Sequence, residues 1–169
     1  MTTTDYLLNA ALIFAVVRQL RGRRLAGLSL WLPLGIVAYV AATYLHSVPT
    51  HGNDLVLELG GLALGLTLGI LCGLYTLVYP DHNGVPFARA TGIAAGLWIL
   101  GVGARLGFAL YAQHGGGPAI GRFSAAHALS MQAWVAALVL MALAEVVSRT
   151  SVLVLRSRRV AAAAIMPSS

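Results

Sequence analysis

Long apolar stretches alternate with short runs rich in polar residues, glycine, proline and arginine along this chain, and that alternation sets its organisation. A helix crosses a bilayer with roughly 20 mostly apolar residues, because the hydrocarbon core is ~30 Å thick and each residue rises ~1.5 Å. The stretches 5–20, 28–46, 55–79, 90–112 and 123–148 approach or exceed that length. They predict an all-α, polytopic membrane helix bundle of about five transmembrane helices. Segment 5–20 is the shortest of these. It opens on a capping Thr4 or Asp5 and stops at the basic stretch holding Arg18, Arg21, Arg23 and Arg24. Pro33 lies early in the second segment, where it is tolerated, and 47–54 reads as a turn-rich loop. Pro80, Gly84 and Pro86 end the third segment, and Gly115, Gly116, Gly117 and Pro118 close the fourth. Residues 1–155 thus form a single transmembrane helical domain, and 156–169 a short cytoplasmic tail frayed from Ala161 onward.

Composition supports a chain built for lipid. It is 59% apolar and 9% charged over 169 residues, against roughly 25% charged residues in soluble domains. All 11 basic side chains are arginine. They flank apolar spans and lack the aromatic-basic interleaving of a nucleic-acid face, so no nucleic-acid partner is expected. Cytoplasmic loops retain positive charge during insertion. With the N-terminus outside and the C-terminus inside, Arg18, Arg21, Arg23, Arg24, Arg89, Arg149, Arg156, Arg158 and Arg159 fall in the cytoplasm and Arg105 and Arg122 within the fourth span or outside, while Asp5, Asp54 and Glu58 fall outside against Asp81 and Glu145 inside. The first segment lacks a basic leader and a small-residue cleavage site, so it is expected to remain. Cys72 is the single cysteine and lies in an apolar run, which rules out an intrachain disulfide or a cysteine metal knuckle and makes it a small core residue.

Two glycine stripes point to close helix packing. Gly61, Gly65, Gly69 and Gly73 recur every four residues in the third segment, and Gly92, Gly96, Gly103 and Gly107 share a face of the fourth. Small residues let backbones approach in lipid, where burying apolar surface gives no hydrophobic gain. The stripes are expected to meet each other, with a homodimer seam on the third segment as the alternative. Glu58 and Arg105 lie inside spans, and intramembrane ionisable residues are functional candidates. Helical angles place Glu58 near its glycine stripe and turn Arg105 away from Gly103, so direct pairing and separate partners both stay open. A small transporter or channel using Glu58 and Arg105 is one reading. Glu145 and Arg149 read as a helix pair four residues apart. Trp31, Trp98 and Trp134 read as interfacial anchors.

His46, His51, His114 and His127 gather on the outer side. His46 and His127 are candidate haem or metal ligands, with His127 also an intramembrane polar candidate, although the most direct expectation is no cofactor. No nucleophile elbow, phosphate loop or zinc-protease motif is present, so an enzyme is not the expected class and no catalytic residue is named.

The stretch 17–25, Leu32 to Leu34, Gly69 to Thr76, Gly84, and Trp98 to Arg105 resemble the CcdC-like family of small bacterial multi-pass membrane proteins. The likeness implies an architecture, a bacterial cytoplasmic membrane location and no assigned activity. It also makes the Arg-rich turn and Arg105 family-like positions, whereas Cys72 stands where relatives often carry Arg. The reading favoured overall is a non-enzymatic accessory, assembly or regulatory subunit. Its partners would be the lipid bilayer and a membrane protein or a second copy of this chain.

Overall fold

The computed structural model describes residues 23–24, 35, 39, 52–81 and 85–165. The expected span 5–20 lies outside the described residues, as does 28–46 apart from Gly35 and Tyr39, which are helical. Among the described residues the chain is mostly helical. In chain order the elements are strand β1 (Arg23–Arg24), helix α1 (Asp54–Leu74), strands β2 (Thr76–Pro80) and β3 (Pro86–Ala90), helix α2 (Gly92–Tyr111), a kinked turn at Ala112–Gly116, helix α3 (Gly117–Ala126) and helix α4 (Met131–Ile165). Three helical stretches are long and apolar enough to cross a membrane: α1, the α2–α3 unit and α4.

The α1 and α4 helices run parallel along one seam. A Cβ added at Gly61 would lie 2.6 Å from the Ala137 carbonyl oxygen, and one at Gly65 or Gly69 would collide with the carbonyls of Met141 and Glu145. Glycine every four residues on α1 therefore meets backbone every four residues on α4. In lipid such contact supplies the dispersion and weak Cα–H···O attraction that holds helices together. The expected meeting of the two stripes is corrected here. Gly61, Gly65, Gly69 and Gly73 seat α4, whereas Gly92, Gly96, Gly103 and Gly107 have nothing within 4 Å among the described residues.

Three boundaries also differ from expectation. Residues 76–79 form a strand and do not extend α1. Thr76, Val78 and Tyr79 favour extended backbone, and prolines at both hairpin ends, Pro80 opposite Pro86, occupy positions where a strand tolerates them. The antiparallel sheet has the order β1-β3-β2, with Arg23 opposite Ala88 and Arg24 opposite Phe87. The last helix begins at Met131 and not at 123, because α3 ends and the chain turns through His127 to Ser130. Finally, α4 continues to Ile165, well past the expected end at 148. No glycine or proline interrupts 131–165, and its polar face is rich in strong helix formers. Its 35 residues rise about 52 Å, far more than a bilayer requires.

Candidate functional site: buried charges along the helix seam

At one end of the seam the two helix N-termini are joined through an acid. Asp54, in the first turn of α1, is fully buried. Its Oδ1 accepts the Ser130 backbone N–H at 2.7 Å, while Ser130 Oγ accepts the Ala133 N–H at 3.2 Å and so caps α4. A carboxylate between two N-termini meets the positive ends of both helix dipoles. Asn53 completes the joint. Its backbone N–H bonds to the Ala128 carbonyl at 3.3 Å and its Nδ2 donates to the His127 carbonyl at 3.0 Å. Gly52, at φ 61°, lies so close to the Ala128 carbonyl that a Cβ would collide with it. One turn further in, Glu58 is 3% exposed. Asp54 Oδ2 and Glu58 Oε1 are buried without a hydrogen-bond partner among the described residues.

At the other end a cation does the converse. Arg156 of α4 donates from Nη1 to the carbonyls of Gly73 at 2.9 Å, Leu74 at 2.8 Å and Thr76 at 2.5 Å. The first two are carbonyls at the C-terminus of α1, where the dipole is negative, and the third opens β2. Thr91 then caps α2, accepting from the Ala94 N–H at 3.2 Å and donating to the Tyr75 carbonyl at 2.6 Å. Cys72, 1% exposed and a free thiol, packs with Ala90 and Ala94 against Leu97 and Trp98. Its thiol faces the Ala94 carbonyl at 3.3 Å, so Cys72 is a core residue.

Between the ends, Arg105 Nη1 of α2 lies 2.7 Å from Glu145 Oε2 of α4, with the two side chains 19% and 5% exposed. Glu145 therefore turns toward the neighbouring helix. Gly101, which belongs to neither sequence stripe, makes room for this carboxylate: a Cβ there would lie 2.8 Å from Oε2. The partner of Arg105 is thus Glu145, and Glu58 sits apart near Asp54.

An aromatic group closes the Asp54 end. Trp134 Nε1 donates to Ser124 Oγ at 2.9 Å, its ring stacks on Phe108 at 5.0 Å, and Phe123 lies 6.1 Å away. The Trp134 indole is thereby a tie between α3 and α4. His127 is exposed, stacks on Phe123 at 4.1 Å and places Nδ1 2.9 Å from the Phe123 carbonyl. Its proposed companion His46 lies outside the described residues. No group of three or more His, Cys, Asp or Glu that could hold a metal occurs among the described residues. His114 sits at the kink between α2 and α3, beside Gly115 at φ 101°.

Sequence reading found Glu58 and Arg105, but missed Asp54, Ser130, Gly101, Glu145 and Arg156 as parts of one system. The signals available were Asp54 at a helix start and Ser130 at a capping position, but neither announces a partner more than 70 residues away. No protein-family model, curated protein or solved structure matches this chain.

Proposed function

We propose that the protein is a non-enzymatic accessory, assembly or regulatory subunit of a membrane complex, in the cytoplasmic membrane of a bacterium. In this reading it crosses the bilayer five times with its N-terminus outside. The observation that carries the accessory role is the surface next to the sheet. Leu77 and Tyr79 on β2 and Arg89 on β3 are exposed. Leu77 is opposite Arg89 and Tyr79 opposite Phe87, so all four belong to one face of the hairpin. A cationic face with exposed large apolar side chains, on a sheet whose β2 has no second strand partner among the described residues, suits a protein partner. Meanwhile Arg105, Glu145 and Arg156 are engaged within the chain, which leaves the intramembrane charges as fasteners.

The orientation is supported by the gathering of Arg23, Arg24, Arg89, Arg156, Arg158 and Arg159 beyond the C-terminus of α1, the end assigned to the cytoplasm by the positive-inside rule. The test is extraction in gentle detergent with wild type and with Leu77→Glu/Arg89→Glu. A partner complex should accompany the wild type and be lost from the double variant. Recovery of this chain alone, with no membrane complex altered by its deletion, overturns the reading.

A further inference from the structure

We propose that the end of α4, where it runs past α1, carries a binding surface for anionic phospholipid, with Arg158 and Arg159 meeting the headgroup phosphates. The exposed residues of 151–162 are Ser151, Leu155, Arg158, Arg159 and Ala162. At ~100° per residue these positions fall within an arc of about 100°, so they form one stripe along the helix. Ser157 is buried on the opposite side, and Arg156 is drawn off the stripe to the carbonyls at the end of α1. Neither Arg158 nor Arg159 has an ion-pair partner among the described residues.

The packing on α1 sets the depth of this stripe. A Cβ at Gly73 would lie 2.8 Å from the Val152 Cβ, so the two residues share a level, and α1 ends one position later at Leu74. The 21 residues of α1 rise about 31 Å, close to the ~30 Å of a hydrocarbon core. Arg158 and Arg159 therefore stand about 8–9 Å beyond the end of α1, beside a headgroup layer roughly 5–8 Å thick, and a long side chain reaches back over such a distance. Leu155, 58% exposed, lies one turn nearer the core on the same stripe, where acyl chains begin. That depth and that apolar neighbour favour lipid over a soluble polyanion. Residues 146–169 hold four arginines and no acid, which selects an anionic lipid. A guanidinium takes phosphate through two parallel hydrogen bonds, and a basic cluster next to a span attracts anionic headgroups.

The inference rests on α1 and α4 crossing a membrane. The full chain in neutral detergent is titrated with phosphatidylglycerol, phosphatidylcholine or inorganic phosphate, and bound adducts are counted by native mass spectrometry. Wild type should bind phosphatidylglycerol at least about tenfold more tightly than phosphatidylcholine and retain no inorganic phosphate. Arg158→Gln should lose about fivefold in phosphatidylglycerol affinity and Arg158→Gln/Arg159→Gln at least about tenfold. Arg122→Gln, which removes an exposed arginine of α3, should keep the wild-type affinity. If the double variant does not fold, the wild-type selectivity and the two single variants decide the matter. Equal binding of both lipids by wild type, or a loss in Arg122→Gln as large as in Arg158→Gln, overturns the proposal. Displacement of phosphatidylglycerol by equimolar phosphate, RNA oligonucleotide or acidic peptide overturns it as well. A chain that stays in solution without detergent or lipid overturns the membrane reading and the proposal together.

Discussion

Removing the guanidinium of Arg105 strands the Glu145 carboxylate in a nearly closed site, since that group is 5% exposed and its partner lies 2.7 Å away. Breaking one side of a buried pair costs about 3–5 kcal/mol, whereas replacing both sides with apolar groups is often neutral. Arg105→Leu should therefore lower the thermal midpoint sharply, and Arg105→Leu/Glu145→Leu should recover most of it. A double variant as unstable as the single one would show that the pair does more than hold helices. The glycines separate in the same way. Gly65→Val drives a side chain into the Met141 backbone and should cost about 1–3 kcal/mol or more, while Gly96→Val, which meets nothing within 4 Å among the described residues, should be far milder. Equal melting temperatures for the two variants would contradict the α1–α4 seam.

Among elements, the two ends of the seam are built on opposite charges. Asp54 serves the N-termini of α1 and α4, and Arg156 gathers two carbonyls at the C-terminus of α1 and that of Thr76 at the start of β2. Arg156→Gln keeps a polar side chain but loses the charge, and should cost about 1–2 kcal/mol in a thermal melt. Arg156→Lys should retain part of that stability through charge alone. If glutamine and lysine behave alike, the helix dipole plays no role there. The elements also mark where sequence pattern stopped being informative. Of the breakers, the run around 113–118 marks a real boundary, since α2 stops at Tyr111, whereas the run after 79 closes β2 and not the helix, which had already ended at Leu74. The turn at 127–130 was not legible, because no glycine or proline lies there. Ala128 at φ 51° turns the chain there, and the contacts of Asn53 and Asp54 hold it from outside the segment.

For the whole molecule, sidedness is the property that can be measured directly. Arg89→Cys and Arg158→Cys should react with a membrane-impermeant maleimide from one side of sealed vesicles, and Arg122→Cys from the other; all three positions are exposed. The native Cys72, 1% exposed, should stay silent. Labelling of Arg89→Cys and Arg122→Cys from the same side would overturn the arrangement. The sequence by itself determined that this is a chain of long apolar helices with arginine concentrated at particular ends, because hydrophobic length and charge act locally on each segment. It also marked the α1 glycines as a contact face and Cys72 as core. Only the tertiary structure decided that α4 is the helix those glycines receive, that Arg105 belongs to Glu145, and that Arg23 and Arg24 pair with the strand before α2. Each of these joins residues far apart in the chain, and period and composition carry no term for which distant backbone will fill a groove or which distant charge will answer a buried one.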